Sequence, residues 1–318
     1  MKKKILLVTG DPNSINSEII FKSLNKINKN VKKKIYLISN YNLIKSQLKK
    51  LKLNLKLSSV KSIDDKVNDD GIKIININLN FTNSFNVNIS EASNFVLKSL
   101  NLAHNIASKR NDVGIINCPI SKKLLKKRFG VTEYLSLKSK IGMDEEAMLI
   151  RNNKLAVCPL TTHVDIKDVP KKINIKKIVK KITTINNWYR KNLKKKPKFA
   201  VLGLNPHNAE FRTNSEEKKI IIPAINKLKK SGFLVEGPLV ADTIFINDHK
   251  NFDVIIGMFH DQVLAPFKTM FKFNAINITL GLKYLRVSPD HGVAKNLIKK
   301  KKGNPESLLS CINFLNNY

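Results

Sequence analysis

Residues 88–119 read NISEASNFVLKSLNLAHNIASKRNDVGIINCP. Asn88-Ile89-Ser90-Glu91 has the form of a capping box: a short polar side chain takes a backbone N–H, and an acid three residues on reaches back. Behind it Ala92, Phe95, Val96, Leu100, Ala103 and Ala107 recur at helical spacing. The period then changes, and Asp112–Pro119 is an apolar run of strand length. A capped amphipathic helix feeding a strand is the repeating unit of an α/β chain.

The same alternation extends in both directions. Lys4–Thr9 is rich in β-formers and precedes a polar turn and a helix around Glu18–Ile27. Lys34–Ser39 and Ile72–Leu79 read as the next strands. Leu155–Leu160, Phe199–Leu204, Phe233–Val235, Val254–Phe259 and Ala275–Thr279 are further short apolar runs. Helical periodicity covers Ile173–Tyr189. Asn214–Ser231 opens with an Asn-x-x-Glu cap, and Pro223 should kink it. Asn304-Pro305-Glu306 starts a C-terminal helix, with Asn as cap and Pro at the first helical position. Strands alternating with helices at this spacing predict an α/β fold with largely parallel sheets.

A chain of 318 residues can bury a sizeable core in one large domain or two lobes. No stretch approaches the roughly 20 apolar residues of a membrane span. Met1-Lys2-Lys3-Lys4 is basic, but Ile5 to Val8 is too short for a signal-peptide core, so a cytoplasmic protein is expected. Cys118, Cys158 and Cys311 are far apart and form no C-x-x-C pair, which argues against a disulfide framework or a cysteine zinc site.

The formal charge is +34, from 58 Lys and Arg against 24 Asp and Glu. Such a charge raises nucleic-acid binding as a reading. The lysines are scattered, however, and asparagine is abundant beside them. Solvated faces enriched in Lys and Asn account for this without a polyanion partner. A positive field also draws phosphorylated small molecules.

Three of the six histidines stand just past the ends of apolar strands: His163 after Leu155–Leu160, His207 after Phe199–Leu204, and His260 after Val254–Phe259. In an open parallel sheet the carboxyl ends of the strands share one edge, and ligands bind there. Three imidazoles on that edge suit a divalent metal with an open position. Asp261 puts a carboxylate beside His260, as an orienting partner or proton acceptor. His104, mid-helix, and His249, in a polar turn, read as non-catalytic.

These segments resemble the signature blocks of the 4-hydroxythreonine-4-phosphate dehydrogenase family. In order they are Thr9-Gly10-Asp11-Pro12 with Glu18-Ile19; Cys118-Pro119-Ile120-Ser121-Lys122; Gly130-Val131-Thr132-Glu133-Tyr134-Leu135; Thr161-Thr162-His163; Leu204-Asn205-Pro206-His207-Asn208-Ala209-Glu210; Ala241-Asp242-Thr243; His260-Asp261-Gln262; Asn277-Ile278-Thr279-Leu280-Gly281-Leu282; and Arg286 with Ser288-Pro289-Asp290-His291-Gly292.

The resemblance implies a two-lobed α/β/α homodimer of the isocitrate and isopropylmalate dehydrogenase type, with the site in a cleft at the subunit interface. Residues 1–128 with 282–318 would form one lobe, and 129–281 the other. It implies His163, His207 and His260 as ligands of one divalent ion, with His163 reaching a partner subunit's site. Zinc, magnesium, manganese and cobalt all suit that donor set. Thr132, Lys268, Asn277 and Arg286 would bind substrate, and Lys268, Asp242 and Asp261 would handle protons. Asp290, His291 and Gly292 would receive the adenine side of NAD or NADP. No G-x-G-x-x-G occurs, so cofactor binding would not be Rossmann-like.

The implied reaction is NAD-dependent oxidation of 4-phosphohydroxy-L-threonine at C3 followed by decarboxylation to 3-amino-2-oxopropyl phosphate, in vitamin B6 synthesis. A dehydrogenase of threonate or erythronate 4-phosphate is an alternative. A basic nucleic-acid-binding protein without activity is a more remote one. Two departures stand out. Val131 replaces the usual His and cannot hydrogen-bond a ligand. Asn13-Ser14-Ile15-Asn16-Ser17 replaces a Gly- and Pro-rich turn, which asparagine's tolerance of left-handed backbone would preserve.

Overall fold

A computed structural model describes residues 3–65, 70–125, 130–141 and 146–318. Met1 and Lys2 of the basic N-terminus, and the expected boundary between 128 and 129, lie outside the described residues. The chain divides into two compact units, Met1–Lys140 with Leu282–Tyr318, and Ile141–Gly281.

The first segment runs β1 (Lys4–Val8), α1 (Asn16–Asn25), α2 (Lys29–Lys32), β2 (Ile35–Ser39), α3 (Tyr41–Lys50), β3 (Leu57–Val60), β4 (Ile72–Asn76), α4 (Ile89–Ala107), β5 (Val113–Asn117) and α5 (Val131–Lys138). The second unit follows with β6 (Ala147–Arg151), β7 (Ala156–Pro159), α6 (Val169–Lys172), α7 (Ile175–Trp188), β8 (Lys198–Leu202), α8 (Ile222–Lys230), β9 (Leu234–Leu239), β10 (Val254–Gly257), α9 (His260–Phe271) and β11 (Ile276–Leu280). The chain returns to the first unit with β12 (Arg286–Pro289) and α10 (Glu306–Asn317).

In the first unit the strand order is β3-β4-β2-β1-β5-β12, and every neighbouring pair is parallel. Successive side chains of a strand face opposite sides. Leu6, Val8 and Ile115 join a core cluster with Phe95, Val96 and Leu100 of α4. On the other face, a Cβ added to Gly114 would stand 3.0 Å from Leu315 of α10. With helices on both faces, β1 and β5 are buried almost throughout, which is why they read as apolar runs rather than alternating ones.

In the second unit the order is β11-β6-β7-β10-β8-β9. The pairs β7–β10, β10–β8 and β8–β9 are parallel, while β6 runs antiparallel to both β7 and β11. Val157, Ala200, Leu202 and Ile255 pack with Val263, Leu264 and Phe267 of α9. Ile178, Ile182 and Ile185 of α7 and Ala224, Ile225 and Leu228 of α8 are likewise buried.

Asparagine does local work in this fold. Asn28, Asn40 and Asn174 each accept a backbone N–H at a helix start, from Val31, Leu43 and Lys177 respectively. Asn88 caps α4, accepting from Ser90 N. The start expected at Asn214 differs: Ser215 Oγ accepts from Lys218 N, a π-helical turn spans Glu217–Ile221, and α8 begins beside Pro223. Pro223 has no N–H to give, so the chain cannot continue one regular helix through it. At the C-terminal helix Pro305 is the N-cap residue, and Asn304 Oδ1 accepts from Glu306 N at 2.9 Å. Strands β3, β6 and β12 and helices α2, α3, α5, α6 and α9 are additions to the sequence reading. Among the described residues no helix is long and apolar enough to cross a membrane.

Candidate active site

The second unit delivers all three strand-end histidines from neighbouring parallel strands, β7, β10 and β8. His163 lies in the bend after β7, and His260 is the first residue of α9 after β10. Their rings are 5.9 Å apart between centroids and tilted by 33°. His260 Nδ1 lies 2.6 Å from Asp261 Oδ1. That contact fixes the ring and leaves Nε2 as the nitrogen that would face a cation, the usual carboxylate–histidine arrangement behind a metal ligand.

His207 is held differently. It follows β8 in a tight turn, and His207 through Phe211 all take left-handed backbone, with φ of 48, 57, 51, 47 and 54°. Each such residue costs roughly 1–2 kcal/mol against right-handed backbone, so the surroundings must impose the turn. Glu217 is one such restraint. Its buried carboxylate accepts from Leu204 N and Asn205 N at 2.8 Å each and from the Asn205 side chain. Burial pushes the Glu217 carboxyl up, but the Asn205 and Leu204 N–H groups outweigh it and hold the group below its ordinary value. Asn208 Nδ2 donates to Pro238 O at 3.1 Å.

His163 and His260 therefore come together, while among the described residues no three His, Cys, Asp or Glu side chains gather closely enough to hold a metal ion. The donor types fit a divalent cation: two paired imidazoles, one backed by a carboxylate, with a third on the adjacent strand end.

The other expected residues divide between the units. Lys268 is exposed on α9, and Asp242 is exposed in the turn after β9. Asn277, on β11, holds its Oδ1 out of solvent with no hydrogen-bond partner. In the first unit Arg286 of β12 is 3% exposed. Its Nε donates to Asn117 Oδ1 at 2.6 Å, and Nη1 donates to Thr132 Oγ1 at 3.1 Å. Burial draws the guanidinium down to about 10, so it remains a cation at neutral pH. Asp290 N donates to Ser307 Oγ at 2.9 Å, and His291 Nδ1 lies 3.0 Å from Gly292 O.

His104 Nδ1 lies 2.9 Å from Tyr284 Oη, and His249 is buried in the turn Asp248–Asn251. All three cysteines are buried free thiols, and burial pushes Cys158 up to about 11.

Residues 30–315 match the family model described as pyridoxal phosphate biosynthetic protein PdxA. The chain belongs to the PdxA family. A 4-hydroxythreonine-4-phosphate dehydrogenase from Sulfurihydrogenibium sp. (strain YO3AOP1) is 37% identical over 319 residues, covering 97% of this chain and 96% of that protein. A crystal structure of the enzyme of the same name from Klebsiella pneumoniae superposes with a TM-score of 0.82 at 26% identity, covering 98% of both chains. A β-decarboxylating dehydrogenase from Thermococcus kodakarensis is alike in fold alone, with a TM-score of 0.51 at 10% identity, over 98% of this chain and 82% of that one.

This PdxA chain preserves its first turn by a route other than left-handed asparagine. Neither Asn13 nor Asn16 has positive φ; only Gly10 does, at 77°. A Cβ there would lie 2.6 Å from Pro119 O and 2.8 Å from Cys118 O. Asn16 Nδ2 instead donates to Thr9 O at 2.8 Å and Pro119 O at 2.9 Å, so a buried amide replaces the glycine-rich backbone as the support. Asn13 exchanges hydrogen bonds with the backbone of Val87 at 2.7 and 2.8 Å. Val131 packs against the core cluster under α4. Gln262 and Glu217 brace the PdxA histidine loops; the sequence offered Glu217 as the acid of the Asn-x-x-Glu cap at Asn214 and gave Gln262 no role of its own. Only Gln262, two residues past His260, carried a sequence signal; Glu217 is ten residues past His207.

Proposed function

We propose that this chain is a 4-hydroxythreonine-4-phosphate dehydrogenase: it oxidises 4-phosphohydroxy-L-threonine at C3 with NAD or NADP, and the product loses CO2 to give 3-amino-2-oxopropyl phosphate. The observation that carries this is the His163–His260 pair, backed by Asp261, at the strand ends of a PdxA-family chain. His163, His207 and His260 would hold a divalent cation, which would supply polarisation of a substrate oxygen, and a bound nicotinamide would supply the hydride acceptor.

The remaining roles belong to this chain's own side chains. Arg286 and Lys268 supply cations for the phosphate or carboxylate, and Thr132 shares its hydroxyl with Arg286. The unpartnered Asn277 Oδ1 accepts from a substrate hydroxyl or ammonium group. Asp242 and Asp261 are exposed carboxylates able to take the proton released at the C3 oxygen. Asp290, His291 and Gly292 form the turn we assign to the adenine side of the cofactor. The reading includes a homodimer with the active site at the subunit interface.

The test is NADH formation from 4-phosphohydroxythreonine, and separately from D-threonate 4-phosphate, across zinc, magnesium, manganese and cobalt. Turnover of the amino acid only, abolished by His207→Ala in a folded protein, is expected. Full activity of His207→Ala after chelation would overturn the metal reading. Turnover of the sugar acid alone would overturn the substrate.

A further inference from the structure

Gln262 stands in the first turn of α9, two residues past His260. Its Oε1 accepts from Met258 N at 2.7 Å, and its Nε2 donates to Gly203 O at 2.7 Å. Met258 leaves β10 and leads to His260. Gly203 leaves β8 and leads through Leu204-Asn205-Pro206 to His207. One carboxamide thus ties the backbones of two adjacent strand ends, each of which carries an imidazole.

The neighbourhood is closed around this contact. A Cβ on Gly257 would stand 2.5 Å from Val263 Cγ1 and 3.1 Å from Gln262 Oε1. One on Gly203 would stand 2.1 Å from Asn208 Oδ1 and 3.3 Å from Glu217 Oε1. Both strand ends are therefore glycines where the brace passes. Beyond Gly203 the chain enters the left-handed turn at His207, which does not hold itself. Glu217 fixes Leu204 and Asn205, but it reaches only the β8 side. Of these contacts, the Gln262 amide is the one that spans from the β8 end to the β10 end.

We propose that Gln262 is a positioning residue that sets the spacing between the His207 loop and the His260 turn, and through it the affinity of the site for a divalent cation. This rests on the metal reading above. The chemistry is specific to a carboxamide of this length, which offers one acceptor and one donor in opposite directions. Methionine matches its length and offers neither. Asparagine keeps both groups but is one methylene too short to reach both backbones.

The experiment uses full-length protein stripped by a chelator, titrated with cobalt(II) by its ligand-field absorption and with zinc by calorimetry. Wild type, His207→Ala, Gln262→Met and Gln262→Asn are compared, with melting temperature and far-ultraviolet circular dichroism alongside. Both Gln262 variants are expected to fold, to bind about 10–100-fold more weakly, and to show an altered cobalt spectrum. Wild-type affinity and spectrum in both would overturn the proposal. So would an affinity loss confined to variants that have lost their circular dichroism. Should Gln262→Met fail to fold, Gln262→Asn, which keeps one of the two hydrogen bonds, carries the test. If wild type and His207→Ala bind equally, the metal reading itself has failed, which is a different result from intact wild-type binding with unaffected Gln262 variants.

Discussion

Arg286 Nη1 donates to Thr132 Oγ1 across 3.1 Å, from the strand that ends the first unit's sheet to the first turn of α5. A second arm of the same guanidinium reaches Asn117 at the end of β5. The planar fork serves two partners at fixed angles, which an ammonium group cannot reproduce. Arg286→Lys is therefore expected to keep the charge but lose the geometry. Steady-state kinetics should show KM for the phosphorylated substrate raised about tenfold or more, equivalent to about 1.4 kcal/mol. An unchanged KM would remove Arg286 from the substrate site.

Asn16→Ala tests the turn that replaces the family's glycines. The side chain is 3% exposed and donates to two carbonyls, so truncation leaves buried acceptors without those donors. A loss of about 1–3 kcal/mol in urea unfolding is expected. Gly10→Ala should cost at least as much, because its φ of 77° and the Pro119 carbonyl both exclude a Cβ.

Glu217 makes the second unit acid-sensitive. Its carboxyl is held below the ordinary value of 4.5 in the folded chain. The folded state therefore binds fewer protons than the unfolded one, and the stabilisation is complete above about pH 4.5. It is lost as pH falls through the lowered folded value. Denaturation midpoints measured from pH 7 downward should fall more steeply for wild type than for Glu217→Gln. The variant should also be less stable at neutral pH, since a carboxamide oxygen is a weaker acceptor for two backbone N–H groups. Parallel curves would show that Glu217 does not carry the effect.

Asp261→Asn should weaken cation binding only modestly. Asp261 is 81% exposed at its side chain, so solvent screens its charge. The remaining effect is on the orientation of His260. A loss of about several-fold, below the roughly 10–100-fold seen for better-buried partners, is expected in a calorimetric titration. No change at all would mean that the 2.6 Å contact does not orient the ring.

Much of this architecture was legible before any coordinates. Buried parallel strands such as β1, β5 and β10 declare themselves as apolar runs because both faces are covered. β6 and β12 did not. AMLIR follows a stretch without periodicity, and RVSP is four residues ending in proline, too short for any period to register. The strand-end positions of His163, His207 and His260 were also readable, since they depend only on where apolar runs stop. The left-handed turn at His207 was not. Asparagine can adopt such backbone, but alanine and phenylalanine in the same turn carry no local preference for it; tertiary contacts impose it. The first turn shows the converse. Asn13 and Asn16 invited a backbone explanation, and their side chains supply the support instead.

The sheet order of the first unit has a bearing on biosynthesis. β5 is flanked on one side by β12, which lies more than 160 positions later in the chain. A ribosome making this polypeptide synthesises the whole of Ile141–Gly281 before that neighbour exists. The nascent N-terminal segment must therefore wait with one edge of β5 bare while the intervening unit is free to fold, a period in which chaperone cover or premature strand pairing would matter most.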